Sequence, residues 1–317
     1  MKHRSFTTQP FQKICPVNRG LRHSRAQQVE RVYANPRDST ANMYLAVKPT
    51  GRPVKACMVL LDGFGASPAS VLQQTDLPTY AARQGILTII PVLETGPLYF
   101  GVDSASQQSL TKLIQHTVRT YHLQGKDLFI SGFSIGGSCA LKYAELAIQH
   151  NYAIKPKAVF ALDPPLDWER FYTSAKRVVR LAKGKALNGE VAYMIDRIEK
   201  EMKGSPRAAL ASYQNLSPYS YSDTTQRAIK SLVNTPLMLI SEPDIKWWLD
   251  QRGYDYTYIN ALNQAAMINE LQQLGNQRAI LVTTTNKGYR QPGHQRHPHS
   301  WRIADAVALT RWLLSQK

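Results

Sequence analysis

Asp127-Leu128-Phe129-Ile130-Ser131-Gly132-Phe133-Ser134-Ile135-Gly136-Gly137 is the stretch around which the chain is organised. Leu128-Phe129-Ile130 is a short apolar run that reads as a strand, and Cys139-Ala140-Leu141-Lys142-Tyr143-Ala144-Glu145-Leu146-Ala147-Ile148 reads as a helix. Between them lies Gly132-Phe133-Ser134-Ile135-Gly136, a Gly-x-Ser-x-Gly pattern. Strand, sharp turn, helix is the context in which that pattern carries chemistry. A serine at the tip of such a turn sits in a cramped backbone conformation, so the residues two before and two after it must be small. The turn also sets the Ser134 hydroxyl at a helix N-terminus, where free amides and the helix dipole favour developing negative charge. The pattern also arises by chance in many proteins. Its reading therefore depends on whether the chain supplies an oxyanion loop, an acid and a histidine.

Upstream, Ala56-Cys57-Met58-Val59-Leu60-Leu61 is a continuous apolar run, which suits a strand covered on both faces. Asp62-Gly63-Phe64-Gly65 follows at once. Glycines after a central strand let the backbone turn and present amides, and the residue after the serine can supply another. The expected oxyanion donors are therefore the backbone amides of Phe64 and Ile135. An ordinary strand-to-helix loop would also favour glycine. Met43–Val47 reads as an edge strand, Ser67–Arg83 as a helix interrupted at Pro78, and Ile86–Ile90 as a further buried strand. The loop Glu94–Asp103 carries Tyr99 and Phe100. Loops at the carboxyl ends of parallel strands form ligand crevices, so both are candidate substrate contacts. Packing on a neighbouring helix is the alternative. Leu110, Leu113, Ile114, Thr117, Val118 and Tyr121 follow helical spacing across Ser106–Leu123.

Downstream, Ala158–Leu162 is another buried strand, and it ends in Asp163-Pro164-Pro165. The alternation of strand and helix then stops. Trp168, Phe171, Tyr172, Ala175 and Val178 form one helical stripe, and Val191, Met194, Ile195, Ile198 and Met202 another. An insertion of this length exceeds a simple crossover, and at this edge of a sheet it reads as a lid. Trp168, Phe171 and Tyr172 would then cover an apolar pocket; extra structural helices are the other reading. Leu237–Ile240 resumes the sheet, followed by Ser241-Glu242-Pro243-Asp244 and by Trp247, a further pocket candidate beside Trp248. Ala279–Thr283 is the final strand, a polar loop holds His294 and His297, and His299 stands before the C-terminal helix.

The order serine, acid, histidine resembles the α/β-hydrolase superfamily, with its serine esterases and lipases. The resemblance rests most on Leu128–Gly137, and the surroundings of Ser134 are similar to esterase-D-like and secreted esterases. It implies an α/β fold with a mostly parallel central sheet flanked by helices. The expected organisation is a basic arm at 1–40, a core at 41–165 and 234–317, and a helical cap at 166–233. It implies a catalytic triad of Ser134, Asp244 and His299, with His297 and His294 as alternative bases and Asp163 and Glu242 as alternative acids. Ser241 stands where the family usually has glycine, and Asp62 where many members have histidine. Serine is a poor nucleophile until a base takes its proton, histidine titrates near neutrality, and a carboxylate orients the imidazole. The expected reaction is hydrolysis of a small-molecule carboxylic ester through an acyl-enzyme, with no metal and no cofactor. An acyltransferase or peptidase would use the same residues, and a non-catalytic binding protein could use the same fold.

The chain has 317 residues, enough for a sizeable core without disulfides. Three cysteines, Cys15, Cys57 and Cys139, make neither a disulfide framework nor a metal cluster. The net charge is +17, and the first sixty residues hold eleven Lys and Arg against two Asp and Glu. A basic arm can attract nucleic acid, but no nucleic-acid-binding signature accompanies it. No run suits a signal peptide or a membrane span, so a cytoplasmic location is expected.

Overall fold

The computed structural model describes residues 12–14, 27–33, 41–182 and 189–316. Its main sheet is built from β1 (Gln12–Ile14), β2 (Gln27–Tyr33), β3 (Met43–Pro49), β4 (Ala56–Leu61), β5 (Ile86–Val92), β6 (Asp127–Phe133), β7 (Ala158–Leu162), β8 (Leu237–Ser241) and β9 (Ala279–Thr283). The spatial order is β1-β2-β3-β5-β4-β6-β7-β8-β9. From β5 to β9 every neighbour pair is parallel, while β1, β2 and β3 join antiparallel at one side. Two expectations change here. β3 is not an edge strand, because β2 pairs along its whole length. Residues 27–33 of the expected arm are therefore part of the sheet, with Val32 and Tyr33 buried. The charges of Glu30 and Arg31 disguise that strand in the sequence. The remainder of the arm, residues 1–11, 15–26 and 34–40, lies outside the described residues.

The helices are α1 (Pro68–Gln74), α2 (Leu77–Arg83), α3 (Ser104–Thr120), α4 (Ile135–Gln149), α5 (Trp168–Leu181), α6 (Gly189–Met202), α7 (Pro206–Leu216), α8 (Arg227–Lys230), α9 (Ile245–Arg252), α10 (Ala261–Gln273) and α11 (Ala306–Ser315). Each proline-containing N-terminal helix starts at its proline or one residue before it, where the missing amide costs nothing. Strand alternation then sorts the core. Cys57, Val59 and Leu61 of β4 face Leu110, Leu113, Ala140 and Met267, from α3, α4 and α10. Ala56, Met58 and Leu60 face Val71, Leu77, Leu309 and Leu313, from α1, α2 and α11. The result is three layers with the sheet in the middle, which is why β4 is buried at every position.

Residues 166–233 contribute α5 to α8, between β7 and β8. They carry a separate apolar cluster in which Trp168, Tyr172, Met194, Ile198 and Tyr213 meet Phe100, Val102 and Ile135 of the core. The insertion thus packs on the residue next to Ser134. Polar anchors reinforce it: Glu201 accepts from the Phe100 amide at 3.2 Å, and buried Lys142 of α4 pairs with Glu145 at 2.9 Å and donates to the Asn215 carbonyl. Burial pushes the Glu145 pKa up, with Lys142 opposing that shift. None of the helices among the described residues is long and apolar enough to cross a membrane.

Candidate active site

Ser134 sits between β6 and α4 with φ 53° and ψ −128°, a left-handed conformation that is strained for any residue with a side chain. The glycines around it are steric requirements. A Cβ on Gly132 would stand 2.3 Å from the Gly136 carbonyl carbon, and one on Gly136 would stand 2.4 Å from the Leu61 and Asp62 carbonyl oxygens. The Ser134 amide donates to the Leu162 carbonyl at 2.8 Å, which ties the turn to the end of β7.

His299 lies beside this serine, its Nε2 2.9 Å from Ser134 Oγ. Its Nδ1 is 2.6 Å from Asp163 Oδ2. The expected orienting acid, Asp244, is thereby corrected. Asp244 caps α9 by accepting from the Trp247 amide at 3.2 Å, and its other oxygen binds Arg296. Asp163 takes the place beside the imidazole because β7 adjoins β6, one strand nearer the serine than β8. Its φ of 47° turns the chain sharply at the strand end, where Pro164-Pro165 follows. The second carboxylate oxygen accepts from Ser241 at 3.1 Å and from Gln264 at 2.9 Å. Asp163 is buried, with three side-chain donors converging on its two oxygens.

The runner-up base, His297, holds its neighbour instead. Its Nδ1 accepts from the His299 amide at 3.2 Å. Burial, with Arg290 and His299 nearby, pushes its pKa down to about 2, so this imidazole is neutral. His294 stacks on Tyr289 with ring centroids 4.2 Å apart, away from the triad. Glu242, the other alternative acid, is wholly committed to the loop carrying His299. It accepts from Thr284 Oγ1 at 3.0 Å and the Lys287 amide at 2.8 Å, and pairs with Arg296 at 2.6 Å. That loop includes a hairpin unseen in the sequence, β10 (Tyr289–Arg290) with β11 (Gln295–Arg296).

The loop after β4 runs against the same serine: a Cβ on Gly63 would lie 3.5 Å from Ser134 Cβ. The Gly63 amide donates to Asp62 Oδ1 at 2.7 Å, and the Gly65 amide to the Pro97 carbonyl at 2.9 Å. The Phe64 amide lies between these two engaged groups. Ile135 opens α4, and the first amides of a helix lack intrahelical acceptors. Asp62 also accepts from Trp301 Nε1 at 2.9 Å and Ser70 at 2.8 Å, which links this loop to the chain just beyond His299. Burial pushes the Asp62 pKa up, and these three hydrogen bonds oppose that shift.

A cavity of about 160 Å³ opens on Ser134, Asp163 and His299. Trp168, Phe171 and Met194 bring the insertion to it. Two other pocket candidates fall elsewhere. Tyr172 packs into the insertion with its hydroxyl on Glu199, and Trp247 packs on Trp248 and His297 while Trp248 lines the cavity. Tyr99 and Phe100 border a smaller cavity of about 50 Å³ beside Gly63 and Ile135. There Phe100 is fully buried and stacks on Trp168 at 4.5 Å, whereas Tyr99 lies under Arg197 at 3.8 Å. Several lining residues carried no sequence signal, among them Arg252, Tyr258 and Arg290. Among the described residues no group of three or more His, Cys, Asp and Glu converges as a metal site would. Cys57 and Cys139 are buried, and burial holds both thiols protonated.

No protein-family model and no curated protein matches the sequence. Solved structures do match in shape. A carboxyl esterase from the mycorrhizal fungus Tuber melanosporum superposes with a TM-score of 0.58 at 11% identity, over 94% of this chain and 87% of that one. An S-formylglutathione hydrolase from Agrobacterium tumefaciens gives 0.54 at 12% identity, over 92% and 98%. An esterase of the bacterial hormone-sensitive lipase family gives 0.57 at 14% identity, over 93% and 86%. With this strand order and these neighbours, the chain has the α/β-hydrolase fold.

Proposed function

We propose that this protein is a serine hydrolase that cleaves a carboxylic ester through an acyl-enzyme, with Ser134, His299 and Asp163 as its triad. The observation that carries the reading is one imidazole joined to two groups: Nε2 lies 2.9 Å from Ser134 Oγ and Nδ1 lies 2.6 Å from Asp163 Oδ2. The Asp163 carboxylate accepts a hydrogen bond from the Nδ1–H, which fixes the tautomer that leaves Nε2 as the base facing the hydroxyl. As Ser134 Oγ attacks the ester carbonyl, its proton passes to Nε2, and the carbonyl electron pair moves onto oxygen. The amides of Ile135 and Phe64 stabilise that oxyanion, helped by the N-terminus of α4. The tetrahedral adduct collapses by expelling the alcohol, which takes the proton from Nε2. Water then repeats the sequence on the acyl-enzyme, with His299 again as base and then acid, and releases the carboxylic acid and free Ser134.

The experiment is labelling with a fluorophosphonate probe, followed by turnover of a nitrophenyl ester series of increasing acyl length. Wild type should label, and Ser134→Ala and His299→Ala should not. Ester turnover in those two variants should fall by about four to six powers of ten. A folded wild-type protein that neither labels nor turns over any ester would overturn the reading.

A further inference from the structure

The cavity at Ser134 is charged in a way that ester cleavage alone does not require. Its lining includes Arg252 from the last turn of α9 and Arg290 from the hairpin before His299. Two acids share the lining: Asp163, whose carboxylate is taken up by His299, Ser241 and Gln264, and Glu190 from the first turn of α6, which acts on Arg290. Arg290 directs Nε and Nη2 at the His299 carbonyl, at 3.1 and 2.9 Å, so one side of its fork is committed to that loop. Arg252 has no ion-pair partner among the described residues. Burial holds the Arg290 pKa down, Glu190 opposes that shift, and Arg252 adds to it. Neutral His297 lines the same cavity. Because its Nδ1 accepts from the His299 amide, its proton sits on Nε2, a further donor. Two guanidinium forks and an imidazole N–H make a set that matches a planar anion. Trp248, Tyr254 and Tyr258 share the lining, and a cavity of about 160 Å³ is large enough for a ring the size of benzene.

We infer that this cavity selects esters bearing an anionic group on a short or single-ring unit, with Arg252 and Arg290 as the specificity-determining cations. The inference rests on the hydrolase reading above and names its substrate class. Carboxylate and phosphate share the chemistry, and the test separates them.

The test compares kcat/KM for 4-acetoxybenzoate with that for its uncharged isostere 4-acetoxybenzamide, with 4-acetoxyphenyl phosphate as the second anion. Wild type should prefer one of the anions over the amide by about tenfold at low salt, and less at 0.5 M salt, where screening is short-ranged. Arg252→Gln should lower that ratio and Glu190→Gln should raise it. Opposite shifts from two neighbouring residues are not expected if both merely pack. Hydrolysis of the amide-bearing ester with a ratio near one, or a ratio that neither variant moves, would overturn the inference and leave the hydrolase reading standing. Fluorophosphonate labelling without hydrolysis of any of the three would do the same. Absence of both labelling and hydrolysis would remove the hydrolase reading and this inference with it.

Discussion

Strands β7 and β8 lie side by side and parallel, and each hands over to an acidic loop. After β7 comes Asp163-Pro164-Pro165, and after β8 comes Ser241-Glu242-Pro243-Asp244. The first loop meets the imidazole of His299. The second never reaches it; through Glu242, Asp244 and Arg296 it clamps the loop on which His299 is carried. One loop contacts the proposed base, while the other holds the chain that carries it. The loops also touch each other, since Ser241 donates to the Asp163 oxygen that His299 does not use. Two carboxylates of similar sequence context can therefore split into an electrostatic role and an architectural one. What separates them is one strand spacing, about 4.8 Å.

The largest effect that could break this comparison is in activity. Asp163→Asn keeps the shape but removes the acceptor that selects the His299 tautomer, and should reduce kcat by about ten-thousandfold. Asp244→Asn loses only part of a half-exposed ion pair and should cost less than about tenfold. Steady-state kinetics on a nitrophenyl ester measures both; the reverse ranking would return the acid to the β8 loop.

Next comes stability. Glu242→Gln weakens a fully buried carboxylate that serves two backbone amides, a threonine and Arg296. It should cost about 3 kcal/mol, seen as a melting temperature lower by about 4–5 °C. A variant that melts like wild type would show that the clamp is not structural.

A pH dependence sharpens the same picture. The folded pKa of His297 is depressed to about 2 from its ordinary value of 6.5. Between those values the unfolded chain binds the proton and the folded chain does not, so stability is fully present above pH 6.5 and declines as pH falls below it. Melting temperatures from pH 8 to pH 5 should therefore drop less in His297→Gln than in wild type. Equal slopes would remove His297 as a buried neutral support of His299.

The smallest expected effect is at the contact between the loops. Ser241→Ala deletes one of the donors to Asp163 and should lower kcat a few-fold, in line with about 1 kcal/mol for a single hydrogen bond. No change in kcat would mean that Gln264 alone holds the carboxylate in place.

Much of the site was legible in the linear chain where the constraint is local. Gly132, Ser134 and Gly136 announce a strained turn, because only glycine clears the carbonyls that pass within 2.4 Å. His299 was singled out by the family resemblance, which places a histidine before the last helix, and the structure sets its imidazole beside Ser134. The apolar runs at Ala56–Leu61, Ile86–Val92 and Ala158–Leu162 announced parallel strands, because burial on both faces removes the usual alternation. β2 stayed hidden, because a strand near the sheet's side shows its charged residues to solvent. The substrate candidates divided similarly. Trp168 and Phe171 reach the cavity while Tyr172, one residue further along α5, points into the insertion instead.

The sequence by itself determined the strand-turn-helix at Ser134, the glycines that permit it, the βα alternation and the inserted helices, all set by sterics and by periodicity over a few residues. Only the tertiary structure decided which carboxylate serves His299 and which residues line the cavity. Asp163, Arg252 and Arg290 lie far apart along the chain. Their distances depend on strand order and on how loops pack across the sheet's edge, and no local pattern encodes a distance between segments that meet only when the sheet is assembled.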